Sequence, residues 1–321
     1  MARPFSRRRF QLLTSATLAS AFVRPAVAAD KIRIGLPVPK YTPCSVVTAA
    51  EELGLYKRNG ITTEITAFGG GNTGQEALIG GAVDLIISFP ASVALAVNKG
   101  VKEKIVGVGE IRATGWHVMV ANDSPIKTLR ELDGKMVGLG AIGGAISAYM
   151  LWIARDANIQ VRIIPVGPAG LIPSLKQKKV DACLLHSGLA LPMLAHGEAR
   201  SIFDLGMMKP SVPDSWVASQ RLIDSNPQAI AAALRSIYQA TDYMHKSRAF
   251  AIDYLKKFTG ESDEKLLNLE YDVLIKAMPI SGKIDREWLE FSLEVGRAAG
   301  MANLASVDQI YTDKFADVSA N

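Results

Sequence analysis

The sequence predicts an α/β protein made of two units, each with a mostly parallel sheet. Three observations predict it. Short β-rich runs alternate with helical patterns along the chain, which is the signature of β-α-β units. From Leu129 the alternation starts a second time. The chain has 321 residues, 49% of them apolar, which is more than one domain usually holds and enough for real cores.

The elements follow in order. "KIRIGLPV" reads as a strand, and "PCSVVTAAEELGLYKRNG" as a helix with Pro43 near its start and Gly60 at its stop. "TTEITAF" is a strand, "TGQEALIGG" a short helix and "VDLIISF" a buried strand. "ASVALAVNKG" is a helix and "KIVGVGEI" a strand. The second round runs "KMVGLG" strand, "AISAYMLWIARDAN" helix, "VRIIPV" strand, "GLIPSLKQKK" helix and "VDACLLH" strand. Aligning the rounds sets Gly35 against Gly138, Phe68 against Val166 and Asp84 against Asp181, a weak internal repeat. Two strand-like segments with Trp116 and Trp216 near their starts, "GWHVMVAND" and "DSWVASQRL", are expected to run out of and back into the first unit. Four long helical patterns close the chain, expected to pack on the first unit: "PQAIAAALRSIYQATDYMHK", "SRAFAIDYLKKF", "DEKLLNLEYDVLIKAM" and "REWLEFSLEVGRAAG". The expected division is 1–28 signal peptide, 29–115 first part of lobe one, 116–218 lobe two and 219–321 return to lobe one.

The N-terminus reads as an export signal. "SRRRFQLL" is basic, "TSATLASAFV" moderately apolar, and "AVA" a small-residue site with cleavage expected after Ala28. Ser6, Arg7, Arg8 and Phe10 fit a twin-arginine pattern, while Gln11 and Leu12 depart from it, so an ordinary secretory signal or an uncleaved anchor stays open. Removing its five arginines takes Lys+Arg from 36 to 31, against 31 Asp+Glu. A neutral mature chain gives no polybasic face for nucleic acid. Cys44 and Cys183 are either one disulfide or two buried thiols.

Two segments spell G-x-G-x-x-G: Gly69, Gly71 and Gly74, then Gly138, Gly140 and Gly143. A dinucleotide site needs the first strand of a sheet, a long helix and an acid about 20 residues on. The first copy follows a second strand and its helix ends at Gly80. The second lacks the acid, since its next strand ends Pro165-Val166-Gly167. No cofactor is therefore expected. The glycines read better as backbone that lets N–H groups and helix N-termini approach a small ligand beyond the carboxyl ends of the strands. Tight turns are the plain alternative.

On "AAEELGLYKRNGITTEITAFGGG", "ALIGGAVDLIIS", "LRELDGKMVGLGAIGG", "IPSLKQKKVDACL" and "SNPQAIAAALRSIYQATDY", nearly the whole mature chain resembles the periplasmic solute-binding proteins of ABC importers, of the sulfonate/nitrate/taurine and thiamine-precursor (SsuA/THI5-like) type. The resemblance implies a type II periplasmic-binding fold, two lobes joined by two crossing strands and closing on a ligand. The related fungal pyrimidine-synthase branch carries a cysteine-rich iron-binding motif, which two cysteines 139 positions apart do not match.

By location, the resemblance points to Tyr41 and Thr42 after the first strand, Gly70, Gly71, Asn72 and Thr73 after the second, and Ser88, Phe89 and Pro90 after the third. Arg112 and Trp116 flank the first crossing. Ile142, Gly143, Gly144 and Ala145 open the lobe-two helix, with Gly167 in the next loop and His186 and Ser187 after "VDACLLH". Arg112 would pair with a carboxylate or sulfonate, or else hold a hinge ion pair. Trp116 and Tyr41 would wall the cleft or pack the hinge. His186 would donate a hydrogen bond or be satisfied internally.

No metal-ligand spacing joins the four histidines, and no G-x-S-x-G elbow appears. Cys183 and His186 lie three apart on a strand, on opposite faces. The expected function is capture without catalysis of an organic acid, sulfonate or heteroaromatic. The captured solute would pass, in the periplasm and from a monomer, to a membrane permease and its ATPase. An exported nucleotide-cofactor oxidoreductase and a ligand-sensing protein of a signalling system are the alternatives.

Overall fold

A computed structural model describes residues 30–320; the expected signal peptide lies outside the described residues. Ten strands form two five-stranded sheets. The first holds β1 (Asp30–Leu36), β2 (Ile61–Ala67), β3 (Leu85–Ser88) and β4 (Glu103–Glu110). The second holds β5 (His117–Ala121), β6 (Met136–Leu139), β7 (Arg162–Pro165), β8 (Ala182–Leu185) and β9 (Ala199–Asp204), and β10 (Asp214–Ser219) returns to the first. The orders are β2-β1-β3-β10-β4 and β7-β6-β8-β5-β9. β2, β1 and β3 pair in parallel in the first sheet and β7, β6 and β8 in the second, and one antiparallel strand, β10 or β5, is inserted next to them.

The internal repeat is physical. Asp84 accepts the Arg33 main-chain N–H at 3.0 Å, and Asp181 accepts that of Met136 at 2.7 Å. A Cβ on Gly35 would stand 2.8 Å from the Phe68 ring, and one on Gly138 would stand 2.9 Å from the Cys183 sulfur. In each sheet the middle one of the three parallel strands thus carries a glycine that lets a neighbouring side chain lie against the backbone.

The chain crosses between sheets at residues 111–116 and 205–213. The segments with Trp116 and Trp216 lead into β5 and β10, which lie inside the sheets they enter. β9 and the helices Ser187–Ala195 and Val307–Ile310 have no counterpart among the expected elements, and the expected strand 214–222 ends at Ser219, where the helix Gln220–Ser225 begins. The expected helix 43–60 is broken, into Ser45–Glu52 and Leu55–Arg58, because Gly54 sits at φ 66, which other residues resist. Both cysteines are free and buried, in separate cores, so the disulfide alternative fails.

The helix Pro227–Lys246 packs on Ser45–Glu52 and β1, as expected of a C-terminal helix on the first unit. Two others also reach the second. Helix Glu264–Val273 packs on Ser187–Ala195, and Arg286–Ala298 lies against both Pro90–Asn98 and Ala145–Asp156. At Gly296 a Cβ would stand 2.3 Å from the Ala91 Cβ, so glycine is the contact that lets the last of these helices close on Pro90–Asn98. Gly296→Ala should gain helix propensity yet lose stability, by a net ~2 kcal/mol, because the helices must separate. A melting temperature equal to or above the parent's would contradict this packing.

Candidate functional site

At the carboxyl ends of the strands a cavity of about 370 Å³ lies between the two sheets. Two loops that the glycine spacing singled out face each other across it. Helix Gly71–Ile79 follows β2 and helix Ala145–Asp156 follows β6. Neither has a side-chain cap. Their first intrahelical bonds are Gly74 N–H to Gly70 and Ala148 N–H to Gly144, so the amides of Gly71, Asn72, Thr73, Ala145, Ile146 and Ser147 have no intrahelical acceptor. All six residues line the cavity. Helices Pro90–Asn98 and Ser187–Ala195 also start there, on Phe89 and His186, again with no side-chain cap. A Cβ on Gly69, Gly70 or Gly71 would meet nothing within 4 Å, so these glycines keep the cavity open and are not demanded by protein packing.

The walls are aromatic. Tyr41, Phe89, Trp116 and His186 line the cavity, with Ile87, Leu171 and Leu189. Tyr41 from the first unit meets His186 from the second edge-on, with ring centroids 5.4 Å apart. Behind the wall, Tyr149 contacts Phe89 and Trp116, each at 5.9 Å.

The floor is acidic. The Tyr41 hydroxyl stands 3.0 Å from both Glu110 Oε2 and Asp214 Oδ2, which come from paired positions at the ends of β4 and β10. Burial, then the neighbouring Asp214 charge, pushes the Glu110 carboxyl well above its usual range. Asp214 is pushed up by burial to about 6, with hydrogen bonds from Tyr41 and Glu110 opposing, so the two carboxyls titrate as a pair. Burial alone lowers His186 to about 4 and keeps it neutral, and its Nδ1 has no partner. The Trp116 indole N–H is likewise unpartnered. Ser88 donates to Gln75 at 2.9 Å, and Gln75 in turn donates to Glu103.

Of the residues expected at the site, Tyr41, Gly70, Gly71, Asn72, Thr73, Ser88, Phe89, Trp116, Gly144, Ala145 and His186 line the cavity. Others lie elsewhere. Thr42 is fully buried and turned to Glu270, 3.4 Å away. Pro90 is the first residue of its helix, buried behind the wall. Arg112 is the main correction. Its guanidinium donates to the Met208 carbonyl and its own N–H to Ser211 at 2.9 Å, so it ties the two crossings together and does not line the cavity. Ile142 projects outward at 59% exposure. Gly143, at φ 92, forms the turn whose N–H donates to Ser147 Oγ, and Gly167 starts a turn at φ 74. Ser187 is fully buried behind His186. Asp214 was missed, since a lone acid before "SWVAS" has no motif around it; only its pairing with Glu110 across β4 and β10 gives it a role.

No lysine or arginine lines the cavity. Among the described residues, no group of three His, Cys, Asp or Glu side chains is gathered to hold a metal. The polar side chains on the cavity are turned to the protein or stand alone. Ser147 donates to the Gly144 carbonyl, Ser88 to Gln75, and His186 has no acid behind it.

Residues 42–249 match the family model described as NMT1/THI5 like. A candidate binding protein of Brucella abortus (strain 2308) is 24% identical over 262 residues, covering 78% of each chain. The periplasmic aliphatic sulphonate binding protein SsuA of Escherichia coli superposes with a TM-score of 0.74 at 20% identity, over 87% of this chain and 91% of that one. The alkanesulfonate-binding protein SsuA of Xanthomonas axonopodis pv. citri, bound to MOPS, gives 0.75 at 15%, over 88% and 98%. The desulfurization enzyme DSZB gives 0.60 at 15%, over 89% and 97%, so the fold by itself does not separate capture from catalysis. The architecture these chains share is the two-lobe periplasmic-binding fold.

Proposed function

The chain belongs to the NMT1/THI5-like family, and on that premise we propose that it is the solute-capturing component of an ABC importer, working in the periplasm. The observation that carries the proposal is the cavity itself. It is built from both sheets, walled by rings and lined by six free main-chain amides, and its polar side chains are turned to the protein or stand alone. Such a site can recognise and enclose a molecule without changing it. Closure then needs only a ligand that prefers the shut arrangement, which a membrane permease can distinguish from the open one. The ligand is a small organic solute, since about 370 Å³ lies at the small end of the range of small-molecule pockets.

The expected outcome of a thermal-shift screen across sulfonates, aromatic acids and pyrimidines is a raised melting temperature for one class, with the compound recovered unchanged by mass spectrometry. Deletion of the gene should then abolish growth on that compound. Recovery of a chemically altered compound would refute capture, and undiminished uptake in the deletion strain would assign the protein to sensing.

A further inference from the structure

The two units are joined differently on their two flanks. On one flank a single apolar core runs through both, with Phe89, Val93 and Phe291 in it beside Tyr149, Met150 and Ile153. On the other, helix Glu264–Val273 meets helix Ser187–Ala195 through Leu266, Leu274 and Leu191, a small separate cluster. This second seam starts at the first crossing, where a Cβ on Gly115 would stand 3.1 Å from both Ser187 and Leu274. It ends at the pair His196–Asp263, 3.3 Å apart. Splitting the large core exposes far more apolar surface than parting the leucines, so the units swing on the first flank and part at the second.

Glu270 lies in the seam that parts. It is one helical turn from Leu266 and one from Leu274, hence on their face of the helix, and it is buried. One carboxyl oxygen is 3.4 Å from the hydroxyl of Thr42, the residue after the cavity's Tyr41. The other has no partner, and neither has the Ser187 hydroxyl on the facing helix. Burial pushes Glu270 up to about 7, with the Thr42 hydrogen bond opposing and the Glu261 charge adding. The cations and imidazoles around its helix are held elsewhere: Arg248 and Lys276 by Asp272, Lys257 by Glu52, and His245 at the Ile275 carbonyl. Helix Ser187–Ala195 has no ionisable side chain, and His186 before it is neutral. The turn at Thr42 adds exposed Lys40, Tyr41 turned to Glu110 and Asp214, and the buried Cys44 thiol.

We propose that Glu270 is a proton latch on this seam: protonated, it lets the two helices stay together, and ionised, it draws in water and parts them. The inference adds a regulation to the capture reading and rests on it for the opening and closing of the lobes. Opening hydrates the carboxyl and releases its proton, so the closed form gains as the pH falls through 7.

The test is double electron–electron resonance on the exported chain without ligand. Spin labels go on Lys57→Cys and Lys179→Cys, exposed positions on the two units, while both native thiols are buried. The closed-to-open ratio should be about tenfold higher at pH 6.0 than at pH 8.5. In Glu270→Gln it should stay at the parent's pH 6.0 level at both. Leu191→Ala should lower the ratio at both pH values and keep the difference between them, and His196→Gln should keep that difference too. Distances that ignore pH in the parent, a full response in Glu270→Gln, or a response lost in His196→Gln overturns the latch. Each of these leaves capture standing, which falls instead on recovery of a chemically altered ligand.

Discussion

Tyr149→Ala should be the most damaging single change in the second unit, lowering stability by about 3–5 kcal/mol and abolishing ligand binding together. Tyr149 is fully buried in helix Ala145–Asp156, and its ring touches Phe89 from the first unit and Trp116 from the first crossing. Its hydroxyl is 2.7 Å from Ser211 Oγ, on the second crossing. One side chain therefore packs against a residue of the first unit and against both crossings. Removing it opens a void, strands Ser211 and frees two cavity walls to tilt. The expected fall in melting temperature is roughly 10 °C. Tyr149→Phe keeps the wedge and loses one hydrogen bond, at about 1 kcal/mol, with binding retained. Calorimetric melts of both variants, each with and without ligand, separate the two roles. A Tyr149→Ala protein that melts within 2 °C of the parent would show that the crossings are held elsewhere, by Arg112 among others.

The two-unit plan was legible in the sequence because it repeats in residue chemistry. Asp84 and Asp181 do the same capping job in the two sheets, and Gly35 and Gly138 the same close-approach job, so an alignment of the two rounds found real equivalences. The first glycine segment was legible as cavity wall because it stands between a strand and a helix N-terminus, where backbone N–H groups reach a ligand, and the open space at Gly69, Gly70 and Gly71 agrees with that reading. The electrostatics were not legible. A sequence shows Arg112 near a crossing but not its left-handed backbone at φ 68, which turns the chain so that the guanidinium meets the Met208 carbonyl. Nor does it show that Glu110 and Asp214, far apart in the chain, become neighbours when β10 is inserted beside β4. Pairing across an inserted strand is non-local, and no period or spacing announces it. The same holds for helix Ser187–Ala195, whose "SGLALPMLA" is apolar on every face and carries an internal Pro192, so it shows no helical stripe.

Lowering the pH from 8 to about 5.5 should stabilise this protein, and the gain should shrink in the double variant Glu103→Gln/Glu270→Gln to what Glu110, Asp214 and the lowered histidines leave. Glu103 is 2% exposed and Glu270 3%, and in each one carboxyl oxygen has no partner. Burial pushes both up to about 7, against the single hydrogen bonds from Gln75 and Thr42. An acid whose folded-state pKa lies above its unfolded value near 4.3 holds a proton that the unfolded chain has released. Its contribution is therefore complete below the unfolded value and is lost as the pH climbs through 7. For each acid the loss is of order 2–3 kcal/mol. Asp214, raised to about 6, adds to the same trend, and His186, lowered to about 4, opposes it, since below its ordinary value the unfolded chain takes up a proton that the folded chain refuses. Three raised glutamates, Glu110 among them, and one raised aspartate outweigh the two histidines that burial lowers, His117 and His186, so the net slope between pH 8 and 5.5 favours the acid side. Glutamine reproduces the protonated carboxyl in shape and charge, which makes the double variant nearly neutral at pH 5.5 and stabilising at pH 8, by roughly 10 °C in melting temperature. Equal melting of parent and variant at pH 8 would mean that water or a rearranged side chain reaches these carboxylates, and that the Gln75 hydrogen bond, which sets the direction in which Ser88 faces the cavity, is not fixed by a buried acid.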